Sequence, residues 1–332
     1  MRKSFDWVDG ERTIHFGPAD DAVTHLGGPG FTLLTTRRAA AAAPHIARAA
    51  GAVHEVGSGQ VHDLAAGLLA TVSGSRLVAL GGGRVVDVAK ALAAAARAGV
   101  APGNVAPGGE VRAMAVPTTL SGAEMTSGHR QARGVDDATP RVRPAVVIFD
   151  PALAASQPVP ELAASSLNAL GHAVEGPCTV RANPVATLAA HESARLIAAG
   201  WAADEPDRET LALGALLAGY VIDSTGLGLH HVLAQTLVRV LGAAHGAANA
   251  VMLPHTTRAL ASRSDAIGKF DDVEGLARRL QVAAGATSLS ALGLDTARLG
   301  QAAEAAAARP QLANTPPAAG RAEILAIYEA AL

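Results

Sequence analysis

The sequence predicts an α/β domain with a parallel sheet, followed by an all-α domain. In the first half, short β-type runs alternate with helical stretches, and this alternation stops near Asp150 and Pro151. From about Pro158 onward the pattern is almost wholly helical, with many Ala and Leu residues and few β-branched runs. Alternating strands and helices are typical of a parallel sheet that helices cover on both faces. We therefore predict domains that span residues 1–154 and 155–332.

The individual elements follow from the length and the periodicity of each apolar run. Short runs rich in apolar and β-branched residues are predicted strands: residues 31–35, 52–56, 76–80, 113–116 and 145–149. Longer stretches with helical spacing are predicted helices: residues 38–50, 62–72 and 85–98 in the first domain, and 209–225 and 229–241 in the second. The Ala-rich tracts are assigned to helices, because Ala has the highest intrinsic helix propensity.

Composition favours a globular cytoplasmic protein. Of the 332 residues, 49% are hydrophobic, and the formal net charge is -2. No run of Lys and Arg is present, so neither nucleic acid nor an anionic membrane is expected as a partner. The first residues include Arg2 and Lys3 but no apolar stretch behind them, so no secretory signal is expected. A single cysteine, Cys178, excludes an internal disulfide.

A glycine-rich turn in the segment LVALGGGRVVDVAKA carries the first candidate site. An apolar strand runs into Gly81, Gly82 and Gly83, and a helix follows at once. Glycines let the backbone approach a pyrophosphate, and the free N–H groups of the new helix point at the anion. The spacing is not G-x-G-x-x-G, because Val86 stands where the third glycine would be. Asp87 is a candidate for orienting the ribose or the loop, although a tight turn with a favourable first-turn acid explains the same residues without a ligand.

A second loop, in the segment AVPTTLSGAEMTSG, offers hydroxyl groups beside that turn. After the predicted strand ends at Pro117, the side chains of Thr118, Thr119 and Ser121 follow. Such a loop can hold phosphates or the carboxamide of a nicotinamide. The alternative is a loop whose Ser and Thr side chains bond to their own backbone.

The helical half contains a third cluster, made of Asn168, His172, His231 and His245. Asn168 and His172 are four residues apart and share one helix face. The other two histidines are separated by a helix and a loop that can fold back. Three neutral imidazoles around one point are typical of a site for Zn or Fe(II), whereas a lone His in an apolar helix is more often a core residue.

Taken in order, these motifs resemble the iron-containing alcohol dehydrogenase superfamily across nearly the whole chain. The family pattern is a GGGS-x-x-D-x-A-K turn, a PTT-x-x-G-S-E loop, a D-x-x-x-H helix and two further histidines. Here these segments are GGGRVVDVAK, PTTLSGAE, NALGH, HH and AHGAANAVMLPH. The segment from Arg143 to Leu153, together with NALGHAVEG, resembles the maleylacetate reductase branch most closely. The resemblance implies a dehydroquinate synthase-like fold, a cytoplasmic homodimer and binding of NADH or NADPH.

The resemblance also assigns roles to particular residues. Gly81, Gly82, Gly83 and Asp87 match the pyrophosphate turn, and Thr118, Thr119 and Ser121 match the second cofactor loop. His172, His231 and His245 match the metal-ligand histidines, with Asn168 at the position of the carboxylate ligand. In the maleylacetate reductase branch, which generally works without a metal, the same three histidines are the candidate catalytic residues.

Departures from the family pattern fall at the glycine turn and at the candidate metal site. Asn168 removes the anionic ligand, so a bound Fe or Zn would lose charge neutralisation. Gln235 stands where the family usually has another His near the nicotinamide, and Gln does not transfer a proton at neutral pH. Arg84 and Ala123 replace serines of the two cofactor motifs.

The activity that follows is hydride transfer from NADH or NADPH to a carbonyl or carbon–carbon double bond of a small carboxylated substrate. His172, His231 and His245 would bind the substrate carboxylate or donate the proton, with Arg141 or Arg143 as a further anion partner. The alternatives are a metal-dependent alcohol or aldehyde dehydrogenase, a lyase or cyclase that uses NAD only transiently, and a binding protein without activity.

Cofactor choice is predicted from the end of the first predicted strand. NAD-preferring relatives often have an acidic residue there, which bonds to the adenosine ribose and would repel a 2′-phosphate. Thr36 takes that place here, and Arg37 and Arg38 follow. A hydroxyl and a guanidinium accept a phosphate without like-charge repulsion, so we predict that NADPH is at least tolerated. The alternative is that both arginines begin the next helix and point into solvent.

Overall fold

The computed structural model describes residues 4–100 and 110–332. It divides into two compact units, Met1–Ser156 and Gln157–Leu332. The first unit is an α/β domain and the second is built from helices, as the sequence predicts. The sequence-based boundary lies between residues 154 and 155, at the end of a short helix, Pro151–Ala154.

A seven-stranded sheet forms the centre of the first unit, in the order β1-β2-β7-β6-β5-β3-β4. The five predicted strands all appear, with shifts of a residue or two at their ends. Two more strands precede them. In chain order the strands are β1 (Phe5–Asp9), β2 (Arg12–Phe16), β3 (Thr32–Thr35), β4 (Ala52–Glu55), β5 (Arg76–Gly81), β6 (Arg112–Pro117) and β7 (Val146–Phe149).

The N-terminal hairpin is the part of the sheet that the sequence analysis missed. Strands β1 and β2 pair antiparallel with Asp9 opposite Arg12, and Gly10 in the turn has a φ of +64°. β2 then pairs parallel with β7, so the sheet is mostly rather than wholly parallel. The sequence did not predict the hairpin because the outer strand, β1, buries little apolar surface, and Val8 in it is 71% exposed. Without a buried face, β1 lacks the apolar run that marked the other strands.

The order of the central strands creates a switch point in the sheet. From β3 the chain moves outward to the edge strand β4, then returns past β3 to β5 and continues through β6 and β7. In open parallel sheets, ligands bind at the carboxyl ends of the strands where the winding direction reverses. That place lies between β3 and β5. Thr35 Oγ1 donates a hydrogen bond to the carbonyl of Leu80 there, at 2.8 Å.

The first unit contains these helices: α1 (Ala22–His25), α2 (Arg37–Ala42), α3 (Pro44–Ala49), α4 (Val61–Leu68), α5 (Gly83–Arg97) and α6 (Pro151–Ala154). The single helix predicted over residues 38–50 is wrong in one respect, because Pro44 divides it into α2 and α3. Proline has no backbone N–H and clashes with the preceding turn, but it fits the first turn of a new helix.

The second unit contains the remaining long helices: α7 (Val159–Glu175), α8 (Pro184–Gly200), α9 (Arg208–Thr225), α10 (Leu229–Leu241), α11 (His245–Ala261), α12 (Val273–Ala284), α13 (Leu299–Ala307) and α14 (Arg321–Glu329). Residues 157–332, all of them described, form no strand. α7 packs against α8, α9, α11 and α12, so most of its surface is buried. A central helix of this kind can hold polar side chains away from water.

None of the helices in the described chain is by itself both long and apolar enough to span a membrane. α9 and α10 meet that criterion only when they are taken as a pair, and the two are bent by 96° at the break between them.

Candidate active site

The glycine turn and the Thr-rich loop are neighbours at the carboxyl edge of the sheet. Gly81 lies opposite Pro117 in the β5–β6 pairing, and the backbone N–H of Thr118 donates to the carbonyl of Gly81 at 3.0 Å. Since β5 and β6 end side by side, both loops open onto the same cavity, which measures about 310 Å³. The cavity therefore lies where a parallel sheet of this order is expected to bind a ligand.

This cavity has a polar part and an apolar part. Its polar lining is supplied by Thr36, Arg38, Arg84, Thr118, Thr119 and Ser156. Its apolar lining comes from side chains that could face a flat heterocycle: Ala39, Ala42, Val56 and Val85. Gly82 and Gly83 complete the wall.

The glycines are needed because the second loop lies directly against them. A Cβ at Gly82 would lie 3.0 Å from Cγ2 of Thr119, and one at Gly83 would lie 2.8 Å from Oγ of Ser121. α5 begins here without a side-chain cap, so its first N–H groups face the cavity. Buried Thr119 Oγ1 finds no hydrogen-bond partner within the described chain. A glycine cradle with unsatisfied donors fits the pyrophosphate of a dinucleotide.

The two arginines after β3 have different surroundings. Thr36 caps α2, with its Oγ1 accepting from the backbone N–H of Ala39 at 3.3 Å. Arg37 points outward and pairs with Glu55 at 3.0 Å. Arg38 lines the cavity, where its Nη2 lies 3.3 Å from the carbonyl of Ser156. The two side chains thus separate although both begin the same helix.

Asp87 pairs with a buried lysine that the sequence analysis did not single out. Nζ of Lys90 lies 2.8 Å from Asp87 Oδ1. The same nitrogen donates to the carbonyls of Ala123, Thr126 and Gly128 at 2.8, 3.1 and 2.7 Å. Lys90 is fully buried and holds the second loop in place. The signal was present, since a lysine in an apolar helix must be paired if it is buried.

Glu124 lies in the same loop and is also fully buried. Removal from water raises its pKa to about 7, although the charges of Lys90 and Arg12 act in the opposite direction. Arg12 also donates to the carbonyl of Met125 at 2.5 Å. The loop that presents Thr118, Thr119 and Ser121 is therefore anchored by buried charged side chains on its inner side.

In the second unit, His172 and His231 come together. α7 supplies the first and α10 the second, and their rings stack with centroids 4.5 Å apart and planes 19° apart. Both are buried, and the described chain provides no hydrogen-bond partner for Nδ1 of His172 or Nε2 of His231. Asn168 lies one turn before His172 on α7 and is buried with it.

His231 is held on its other side by Glu175, the last residue of α7. The ring Nδ1 of His231 lies 2.9 Å from Glu175 Oε2. Glu175 is fully buried, and sequence reasoning assigned it no role. It lies three residues after His172, so a buried acid on the same helix face was the available signal.

His230 has a structural role. Thr256 Oγ1 donates to the carbonyl of Met252 at 2.9 Å and so accepts from His230 Nδ1 at 2.8 Å. A Cβ on Gly171 would lie 2.6 Å from His230 Nε2, so that glycine makes room for the ring. Of the two adjacent histidines, His231 belongs to the candidate site and His230 packs α10 between its neighbours.

His245 differs from the stacked pair in its exposure to solvent. It begins α11 and is exposed, and its Nε2 lies 3.1 Å from Nδ2 of Asn249. Within residues 4–100 and 110–332, no group of three or more His, Cys, Asp and Glu side chains is arranged to hold a metal ion. With a neutral amide at Asn168 in addition, this donor set does not fit a divalent metal.

Gln235, one of the departures from the family pattern, is bonded to an arginine. Nη2 of Arg309 donates to Gln235 Oε1 at 2.8 Å, and Nη1 donates to the carbonyl of Val232 at 3.1 Å. Of the two arginines proposed as anion partners, Arg141 donates instead to the backbone carbonyl of His129.

The electrostatics of the histidine cluster favour neutral rings. Burial, with the charge of His231 as a second cause, lowers the pKa of His172 well below its usual value. Burial also lowers the pKa of His231 to about 3, with His245 and Arg309 adding to the effect. The pKa of Glu175 is raised by the same loss of water. In the free protein the stacked rings are therefore uncharged at neutral pH.

The chain is similar in sequence to a known family of enzymes and to several of its members. A model described as Fe-containing alcohol dehydrogenase family, C-terminal, matches residues 162–332. Maleylacetate reductase 1 of Rhodococcus opacus is 34% identical over 212 residues, which cover 59% of this chain and 59% of that enzyme. The chain thus matches about three fifths of the length of that curated relative.

Two further similarities cover different extents of the chain. The 1,3-propanediol dehydrogenase of Citrobacter freundii is 40% identical over 121 residues, 35% of this chain and 31% of that enzyme. A crystal structure of maleylacetate reductase from Agrobacterium tumefaciens superposes with a TM-score of 0.75 at 26% identity, and covers 100% of this chain and 99% of that one. These relatives are oxidoreductases by name.

Proposed function

Because the chain belongs to the Fe-containing alcohol dehydrogenase family, we propose that it is an NAD(P)H-dependent reductase of a small carboxylated keto or enoyl substrate, with maleylacetate as the first candidate. The proposal assigns the cavity beside Gly82 and Gly83 to the nucleotide and the stacked histidines to the substrate. Among curated relatives, maleylacetate reductase 1 of Rhodococcus opacus supports the choice of substrate class.

The observation that carries the proposal is the buried pair of His172 and His231, next to the neutral side chain of Asn168. Within the described residues, no three or more His, Cys, Asp and Glu side chains converge to hold a metal at this pair, and the carboxylate of Glu175 is already bonded to the His231 ring and to the backbone. The ring nitrogens without partners in the described chain, Nδ1 of His172 and Nε2 of His231, can bond to an anionic organic group once a ring takes up a proton.

The nicotinamide, when bound, supplies the hydride. Reduction of the substrate consumes one proton as well, and the chain must deliver it. We assign this transfer to Nε2 of His231. In the free protein the ring is neutral, because burial lowers its pKa to about 3. A carboxylate that binds beside the ring raises that pKa, since an opposite charge favours the protonated form. An anionic substrate therefore promotes the protonation that its own reduction requires.

The test is an assay of NADPH and NADH oxidation with maleylacetate, other keto acids and uncharged aldehydes of similar size. Turnover of the carboxylated substrates in preference to the uncharged ones is expected. His231→Ala should lower kcat by at least about 10²-fold, because it removes the proton donor. The matched control is His230→Ala on the neighbouring residue, which should lower stability and leave the kinetics of the folded enzyme near the wild-type values.

A second candidate is a metal-dependent dehydrogenase of uncharged alcohols, which the similarity to 1,3-propanediol dehydrogenase favours. Stoichiometric Fe or Zn in the purified protein, together with oxidation of 1,3-propanediol, would support this candidate. Tight cofactor binding without turnover of any substrate in the panel would contradict both.

A further inference from the structure

Glu175 makes two kinds of hydrogen bond at the start of α10, one to the backbone and one to a side chain. Its Oε1 accepts from the backbone N–H of His230 at 2.5 Å and of His231 at 3.4 Å. Its Oε2 accepts from the ring Nδ1 of His231 at 2.9 Å. One buried carboxylate thus bonds both to the first turn of the helix and to the imidazole that the helix carries.

The backbone contacts hold this carboxylate in one orientation. Gly228, at the N-cap position of α10, has no side chain to accept from the first turn. Glu175, from the end of α7, takes that role, and Thr315 shares it by accepting from the backbone N–H of Leu229 at 3.0 Å. Because Oε1 of Glu175 is bound to backbone donors, its Oε2 must face the His231 ring.

This geometry determines which ring nitrogen carries hydrogen. Backbone N–H groups of His230 and His231 donate to Glu175 and favour its ionised form, in opposition to the burial that raises its pKa. An ionised carboxylate only accepts hydrogen bonds, so Nδ1 of His231 is the protonated nitrogen of the neutral ring. Nε2 is then left with its lone pair. It is buried, and it has no hydrogen-bond partner in the part of the chain that the structure describes. The bonded nitrogen and the reactive nitrogen of His231 are therefore distinct.

We propose that Glu175 is a positioning residue that fixes His231 in its Nδ1–H tautomer and directs Nε2 to the substrate. The role of His231 in proton transfer rests on the function proposed above. Glu175 itself touches neither substrate nor cofactor in this scheme. A carboxylate that orients a reacting imidazole through its second nitrogen also increases the basicity of the first.

The tautomer can be measured directly. In protein with ¹⁵N-labelled histidine, long-range ¹H–¹⁵N spectra distinguish Nδ1–H from Nε2–H rings, and His231→Gln identifies the signals of this residue. The wild-type protein should show His231 as Nδ1–H. In Glu175→Gln, the one remaining acceptor oxygen cannot serve both the backbone and the ring. The signals should then shift toward the Nε2–H form, and kcat should fall about 10- to 100-fold, with the Kd for NADPH unchanged.

Thr315→Val is the matched control. It removes the other side-chain cap of α10, at Leu229, and does not alter the contacts of the imidazole. It should lower the stability of the protein by about 1 kcal/mol, which is what one cap contributes. The Nδ1–H signals should remain intact, and kcat should stay within about twofold of wild type.

The proposal is overturned by an Nε2–H tautomer in the wild-type protein, or by Glu175→Gln that changes neither the tautomer nor kcat. Equal losses of kcat in Glu175→Gln and Thr315→Val would also overturn it, because the effect would then come from the helix cap alone. If Glu175→Gln fails to fold, the wild-type tautomer decides. This spectrum needs no turnover, so a protein that reduces no substrate in the panel would contradict the proposed function and leave the positioning role to be judged from the tautomer.

Discussion

Arg38 should set the preference for NADPH over NADH. Its guanidinium lines the cavity proposed for the nucleotide, beside Thr36 and Ser156, and the polar lining of that cavity includes no Asp or Glu that would repel a phosphate. Its contacts with Ser156 are long, at 3.3 and 3.5 Å, so they are readily exchanged for a phosphate oxygen. We predict that Arg38→Ala weakens binding of NADPH and leaves binding of NADH nearly unchanged.

The magnitude follows from the exposure of the site. A hydrogen bond between charged groups contributes about 1.5–3 kcal/mol, and solvent screening at an exposed side chain favours the lower end of that range. A loss of about 1.4–2 kcal/mol corresponds to a 10- to 30-fold rise in the Kd for NADPH. Nucleotide fluorescence titration measures this value without any substrate. The effect should shrink at high salt, because the screening length falls.

Arg37→Ala is the matched control for this experiment. Arg37 is the adjacent arginine on the same helix, but its side chain is 88% exposed and paired with Glu55 outside the cavity. Its removal should change neither affinity by more than about twofold. Arg84 adjoins the glycine turn, so Arg84→Ala should weaken the binding of NADPH and NADH equally, because both nucleotides carry the same pyrophosphate. The role of Arg38 would be refuted if Arg38→Ala lost equal affinity for NADPH and NADH. It would also be refuted if Arg37→Ala lost as much affinity for NADPH as Arg38→Ala.

Three further predictions concern the glycine turn and the buried ionisable groups. Gly82→Val should weaken nucleotide binding by about 2 kcal/mol or more, because its side chain would meet Thr119 and fill the cradle; unchanged affinity in a folded variant would contradict this. Burial raises the pKa of Glu124 from 4.5 to about 7. The protonated side chain therefore contributes to the stability of the fold in full below pH 4.5, and this contribution is lost as the pH rises through 7. Glu124→Gln should therefore stabilise the protein by about 2–3 kcal/mol at pH 8 and not at pH 4.5, as measured by denaturant unfolding. Burial lowers the pKa of His230 from 6.5 to about 3. The neutral ring therefore contributes to the stability of the fold in full above pH 6.5, and this contribution falls by about 1.4 kcal/mol per pH unit below that value. In His230→Gln, the free energy of unfolding should fall less steeply between pH 6.5 and 4.5 than in the wild-type protein. An identical slope in the two proteins would contradict the buried environment of His230.

Some residues of the candidate site could be predicted from the sequence because their neighbours along the chain define them. The glycine turn is an example, since an apolar run, three glycines and a helix are consecutive. The Thr-rich loop is another, since it follows the next buried strand and parallel strands end at one edge of a sheet. The family assignment made from the whole series of motifs is confirmed by the match over residues 162–332, the part of the chain that carries the histidine motifs.

Other parts depended on contacts between distant residues. Arg37 and Arg38 are equivalent in the sequence, and only the packing of α2 against the sheet separates the exposed one from the one in the cavity. Lys90 appears as one polar residue in an apolar helix, and its role emerges from carbonyls more than thirty residues away. No local pattern reveals such partners, because they belong to another part of the chain.

By itself, the sequence determined the five strands from β3 to β7, the α/β and helical halves, and the family, because short-range periodicity and contiguous motifs encode these features. Tertiary structure alone decided which polar residues are buried and what they touch. It stacks His172 on His231, leaves His245 exposed at the start of α11, and places Glu175 against a ring that is 56 positions away along the chain. The physical reason is that the protonation and orientation of a buried side chain depend on its distance from other charges and from water, and these distances exist only after the helices have packed.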